Sequence, residues 1–382
     1  MMKITEIRGF HLSFPLAEPQ GNALTFFRKR DALLVQIVTD SGLSGWGEAG
    51  NSPHAAGAFI RTRLAALVLG QSPADFGRHY LTMCAALGYD RRGAGMMGIS
   101  AIDMALHDLA ARMYGISVAT LLGGAVRGKL FAYASGPFFR EGSDPYHAYD
   151  REAEGYLKKH FKALKPRAGF TPHADGAMAM GLRRMIGKDS ALMVDINQGY
   201  TAHAAIQSAR RMEEAGLLWI EEPVQPEDIG GYQTVARAVP QAIAGGEALG
   251  NVRAFREFLA ANTLAVLQPD LSVCGGYSGL REIAALARAY DVPVMPHVFG
   301  TTVNFHASMQ MAAILEGKRG GGPAPYPFIE YDMMDNPLLQ LCPPPPLDAD
   351  GTLSVPDGPG TGLELSPQRL DPWIVGRWAE IL

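Results

Sequence analysis

The chain has 382 residues, 47% hydrophobic and 19% charged, with 34 Lys and Arg against 38 Asp and Glu and a net charge of −4. That is enough apolar chain for one large core with an accessory domain, and the mild acidity offers no polybasic footprint for nucleic acid or anionic lipid. Three cysteines without a CxxC pair suit a reducing compartment, and no apolar run approaches the ~18 residues of a bilayer span, so the expected location is cytoplasmic and the expected partner a small molecule.

The first stretches, KITEIRGFHLSF and DALLVQIVTD, alternate apolar and polar residues and lead into the Gly-rich SGLSGWGEAG, the pattern of a small antiparallel meander. Helical spacing follows in AAGAFIRTRLAALVLG and SAIDMALHDLAARMYG, where Ile102, Leu106, Leu109 and Met113 recur on one face. Residues 1–127 therefore read as an α+β capping domain. Over residues 128–340 strand and helix signals alternate, which a parallel α/β barrel requires. Residues 341–382, with CPPPPLDADG and VPDGPGTG, exclude long regular elements and are expected to return to the capping domain. The fold class is α/β: a TIM-type (β/α) barrel with an α+β cap built from the N-terminal segment and the C-terminal tail.

Within the barrel, Asp195, Glu221 and Glu247 stand 26 residues apart twice over, each closing an apolar run, ALMVDIN, LLWIEEP and QAIAGGE. One strand, helix and loop unit of a (β/α)₈ barrel of about 250 residues takes roughly that length, so the three carboxylates fall at equivalent strand ends. The rhythm continues through Asp270, His297 and Glu330 at gaps of 23, 27 and 33 residues. Any one buried-strand acid could be only a structural ion pair; six ionisable groups on one period read as a site. Its all-oxygen acids suit Mg²⁺, with Mn²⁺ as the alternative. Lys165 and Arg167, two apart on the second strand, point the same way and could hold a substrate carboxylate or move a proton. Asn197, on the face of Asp195, is a candidate substrate contact or a partner for a neighbouring loop.

These residues carry a resemblance. GLSGWGEA, SAIDMALHDLAARMYG, LLGGAVRGKL, MVDINQGY, WIEEPV, GGEAL, QPDLSVCGG, MPHVF, FIEY and VPDGPGTG run nearly end to end, and the sequence resembles the enolase superfamily, in particular its mandelate racemase and muconate lactonizing enzyme group. The resemblance implies that Asp195, Glu221 and Glu247 ligate one Mg²⁺, that Asp270 and His297 form the Asp–His dyad of the racemase-like subgroup, and that Glu330 is the acid of the eighth strand. It also implies a homo-oligomer, a dimer or an octamer. Lys165 and Arg167 occupy the Lys-x-Lys positions, where the second lysine usually serves as a base; here an arginine, which stays protonated, stands instead.

Removing the proton α to a carboxylate creates a dianionic enediolate that a carboxylate-held divalent cation can neutralise. His297, oriented by Asp270, is the expected base. With Arg167 in place of a lysine only one face of the α-carbon has a proton acceptor, which favours a lyase reaction: dehydration of a sugar acid, an aldonate or aldarate, to a 2-keto-3-deoxy acid. Racemisation, epimerisation or lactone cycloisomerisation of a hydroxy acid through the same enediolate is the alternative. Outside this class, a non-catalytic scaffold sits poorly with a complete set of acids, and a metal-dependent hydrolase would lack histidine ligands. Glu330 is either a protonated donor or an ion-pair partner of the cations. In the cap, Arg28 within LTFFRKRD and His54 within NSPHAAG are candidate substrate contacts, set against a solvated turn.

Overall fold

A computed structural model describes residues 2–88 and 91–382. The cap begins as an antiparallel sheet of β1 (Ile4–Gly21), β2 (Phe26–Thr39) and β3 (Ser44–Ala49). A helix over Ala94–Met113 lies across β3, and two glycines make that approach possible. A Cβ at Gly45 would stand 2.3 Å from the Ala105 carbonyl oxygen, and one at Gly47 would stand 1.9 Å from that of Ala101. The same helix carries Ile102, Leu106 and Leu109 into a core confined to the cap. Its two buried acids work outward. Asp103 accepts hydrogen bonds from Ser278 N (3.0 Å) and Oγ (2.6 Å) on the barrel, and Asp108 accepts from Trp46 N (3.0 Å) and from Thr361 N (2.8 Å) in the tail.

The barrel is assembled from two parallel arcs. One runs β11 (Ile329–Asp332), β4 (Lys129–Ser135), β5 (Ala163–Lys165), β6 (Ala191–Leu192); the other runs β10 (Val266–Leu267), β9 (Ile243–Gly245), β8 (Ile220–Glu221), β7 (Val194–Asp195). β6 and β7 are two pieces of one stave around Met193, and parallel bridges Leu267–Val294 and Asp270–His297 add the segment at His297. The ladders are short at the mouth because Pro166, Pro269 and Pro296 have no N–H to donate. The carbonyls of Pro166 and Pro269 still accept, from Asp195 N and His297 N, both at 3.1 Å.

Alternation along each stave sorts the interior into layers. Tyr133, Met193, Trp219, Val266, Met295 and Phe328 fill the barrel with a buried apolar plug. Two residues further along the same staves stand Ser135, Asp195, Glu221, Gln268, His297 and Glu330, all buried, so the polar layer rests on a dry floor.

The tail adds β12 (Thr352–Ser354) antiparallel to β4 and then β13 (Ile374–Ile381) antiparallel to β1, completing the cap sheet. The tip of the β1–β2 hairpin reaches over the mouth: Gly21 and Phe139 exchange backbone hydrogen bonds of 2.9 and 2.8 Å. Ala23 lies against Gly169 and Gly199, where a Cβ at residue 199 would meet its methyl at 2.4 Å. Among the described residues no helix is long and apolar enough to cross a membrane.

Candidate active site

Asp195, Glu221 and Glu247 each offer a carboxylate oxygen, and the three oxygens lie within 4.8 Å of one another. They come from adjacent staves, which the 26-residue spacing anticipates. Lys165 reaches up between them: its Nζ is 2.5 Å from Glu221 Oε1, 2.9 Å from Glu330 Oε1 and 3.8 Å from Asp195 Oδ2. Arg167 Nη1 donates to Asp195 Oδ2, and Nη2 donates to Ser135 Oγ at 3.3 Å. On the far side His297 Nδ1 is 2.8 Å from Asp270 Oδ2, while Nε2 faces Glu247 Oε2 at 3.2 Å and Glu330 Oε2 at 3.9 Å.

The charges set the protonation states. Burial alone would strip the Lys165 ammonium, but Glu221, Glu330 and Asp195 outweigh it and hold the lysine above its usual range. Burial would likewise protonate Glu330; Lys165, His297 and Arg167 reverse this and keep its carboxyl well below the usual range. Of the two roles open for Glu330 from sequence, the geometry favours the ion pair. Burial draws His297 down, and Glu247, Glu330 and Asp270 lift it above its usual range; a divalent cation on Glu247 would cancel the first of those lifts and favour the neutral ring, which can accept a proton. Burial raises Glu247 despite His297, and raises Asp195 and Glu221 despite Arg167 and Lys165.

These residues fit a hard divalent cation. The carboxylates of Asp195, Glu221, Glu247, Asp270 and Glu330 outnumber the fixed cations Lys165 and Arg167, and Glu222 lies buried beside them, an excess of acid that a divalent ion would neutralise. Asn197 Oδ1 is buried without a hydrogen-bond partner, and Glu247 Oε2 has only its ion-pair contact with His297 Nε2 at 3.2 Å, although buried oxygens ordinarily are hydrogen-bonded. Both are oxygen donors of the kind Mg²⁺ prefers.

The residues singled out in the sequence do not all meet here. Asn197 does, its Nδ2 donating to Asp195 Oδ2 at 3.0 Å. Arg28 is exposed and paired with Glu141 at 2.5 Å, and His54 is exposed on the helix Pro53–Phe59, stacked on His11 at 4.7 Å; these contacts lie outside the carboxylate cluster. Other residues join it unannounced. Trp219 Nε1 (3.0 Å) and Gln268 Nε2 (2.6 Å) donate to Glu221 Oε2, and Ser135 Oγ donates to Glu330 Oε1 at 2.6 Å. Gln268 was within reach of strand alternation, two residues before Asp270. Ser135 carries no charge to stand out in an apolar run.

Residues 148–369 match the enolase C-terminal domain-like family, and residues 4–123 match the N-terminal domain of mandelate racemase / muconate lactonizing enzyme. The chain is 36% identical over 377 residues to the D-galactarolactone cycloisomerase of Agrobacterium fabrum, covering 97% of this chain and 98% of that one. It is 28% identical to the arabinonate dehydratase of Saccharolobus solfataricus, covering 95% and 96%. A crystal structure of a racemase from Streptomyces coelicolor A3(2) with bound magnesium superposes with a TM-score of 0.85 at 27% identity, covering 97% of this chain and 100% of that one. The chain belongs to the mandelate racemase / muconate lactonizing enzyme group of the enolase superfamily.

Proposed function

We propose that the protein catalyses β-elimination from an acid-sugar carboxylate, begun by abstraction of the α-proton at His297. The observation that carries this reading is the asymmetry of the proton acceptors: His297 has one nitrogen held by Asp270 at 2.8 Å and the other turned to the cluster, whereas Lys165 and Arg167 are locked as cations by Glu221, Glu330 and Asp195. A Mg²⁺ ion held by Asp195, Glu221 and Glu247 would supply positive charge to the substrate carboxylate. With Glu247 committed to that ion, neutral His297 takes the α-proton at Nε2, and Asp270 fixes the ring tautomer and stabilises the imidazolium so formed. Lys165 and Arg167 bear on the carboxylate oxygens as the enediolate forms. The electron pair of the broken C–H bond then expels the β-oxygen, and the resulting enol becomes a 2-keto acid.

Two leaving oxygens fit. A ring oxygen leaving as a lactone carboxylate needs no proton, and the 36% identity to a galactarolactone cycloisomerase favours it. A hydroxyl needs one, which protonated His297 can return; the similarity to an arabinonate dehydratase favours this second reading. The test presents acid-sugar lactones and open aldonates and aldarates with Mg²⁺, detecting 2-keto products with semicarbazide and α-proton exchange by ¹H NMR in D₂O. A 2-keto product is expected, falling by about 10²–10⁴-fold in His297→Asn. Exchange with epimer formation and no 2-keto product would overturn elimination, and undiminished product in His297→Asn would overturn the base.

A further inference from the structure

The oxygen of Asp270 that faces away from His297 is held by three donors: Ser272 N and Oγ at 2.7 Å each, and Asn304 Nδ2 at 3.1 Å. Both donor residues are tied to the cap. The backbone N of Asn304 donates to Oε2 of Glu48, on β3, at 3.0 Å, and Glu48 also accepts from Thr301 N (2.9 Å) and Thr301 Oγ1 (2.7 Å). The carbonyl of Ser272 accepts from Gly50 N, two residues beyond Glu48, at 3.0 Å. Arg30 on β2 adds a separate tie from cap to barrel, lying 3.7 Å over the ring of Phe299 and pairing with Asp332 at 2.9 Å.

Glu48 is not required merely to finish a helix. The helix Thr302–Ile314 already has Thr301 as its N-cap, with the Thr301 side chain accepting from Val303 N, so a second, buried carboxylate is an addition at a desolvation cost. Gly300 leaves it room: a Cβ there would stand 2.5 Å from Glu48 Oε1. We infer that Glu48 is a positioning residue, through which docking of the capping domain sets the orientation of the Asp270–His297 pair. The inference rests on the reading of His297 as the base. It means that the base is aligned only when the domain that covers the mouth is seated.

Glu48→Gln keeps the volume but replaces one of the two acceptor oxygens with an NH₂ donor, so that Thr301 N, Thr301 Oγ1 and Asn304 N are no longer all accepted; Asn304→Leu removes the donor to Asp270 from the barrel side and leaves the backbone contact with the cap. Each is expected to lower kcat roughly ten- to a hundredfold with KM and Mg²⁺ affinity, the latter by calorimetry, within about twofold. At fixed pH the ring ¹⁵N signals of His297 should shift in both variants, reporting the altered Nδ1 hydrogen bond. The double variant should lose no more than the worse single one, because both act through one chain of contacts. Unchanged kcat and unchanged ring signals would overturn the inference, as would losses that track Mg²⁺ affinity or melting temperature and so report general loosening. If Glu48→Gln does not fold, Glu48→Asp, which withdraws the carboxylate from Asn304 N and Thr301 by one methylene, decides in its place: unchanged kcat with unshifted ring signals would overturn the inference. If no acid sugar is turned over by the wild type, the proposed reaction falls, while the ring signals, which need no substrate, still decide the positioning.

Discussion

Arginine rather than lysine at position 167 decides how many faces of the α-carbon have a proton acceptor. A guanidinium bonded to Asp195 and stacked over Phe138 at 4.7 Å cannot give up its proton at ordinary pH. Arg167→Lys substitutes an amine that can. Acid-sugar substrate recovered from D₂O after incubation with this variant should contain a fraction of the deuterated α-epimer, seen by ¹H NMR, where the wild type yields none. Epimer from the wild type itself would refute the one-sided site. At this scale the sequence was legible wherever a charge interrupted an apolar run, as at Asp195, Glu221, Glu247, Asp270, His297 and Glu330. It was illegible where the partner was neutral, as at Ser135 and Gln268, or where it was remote, as with Glu48 and Thr301, 253 positions apart. Arg28 and Arg30 looked equivalent within one charge run, yet Arg30 is buried on Asp332, 302 positions away, and Arg28 lies at the surface.

At the scale of elements, the meander and the long cap helix followed from period-two and helical spacing, while the barrel staves were clearer in sequence than in their ladders. ALMVDIN is one apolar run, yet its hydrogen-bonded pieces are two residues each; apolar periodicity reports burial, and hydrogen bonding near a proline is a separate matter. The glycines of SGLSGWGEAG suggest a turn. Only the first part of the motif is one: Ser44–Ala49 is β3, and Gly45 and Gly47 are there for the helix that lies on it. Gly47→Ala should therefore cost about 1–3 kcal/mol through overpacking, read as a lower denaturant midpoint. Gly128→Ala, where a Cβ meets nothing within 4 Å, should stay within about 0.5 kcal/mol. Equal midpoints for the two variants would show that the helix yields, and that close approach is not the reason for glycine at 47.

At the scale of the whole molecule, the barrel closes only because β11 returns to β4, and the cap only because β13 returns to β1. Neither pairing is local, so the sequence shows them through compositional shifts at the proline-rich tail and through family likeness, and not through any neighbouring residues. Closure brings five carboxylates into one buried space, and the pH dependence of folding follows from that. Burial lifts the protonation of Asp195, Glu221 and Glu247 above the usual carboxylate range, and the surrounding acids outweigh burial to lift His297. A group with a raised folded-state pKa stabilises the fold below its unfolded value and loses that contribution as pH climbs through the folded one. The metal-free protein should accordingly lose stability as pH rises from about 4 for the three acids and from about 6.5 for the histidine. Mg²⁺ competes with those protons, so its apparent affinity should strengthen as pH rises. At a concentration a hundredfold above Kd it adds about 2.7 kcal/mol. Melting curves with excess Mg²⁺ and with EDTA should therefore separate more widely at pH 8 than at pH 5.5, and Asp195→Asn should narrow the separation at both. A separation that is absent, or the same at both pH values, would mean that these carboxylates do not gather around an ion.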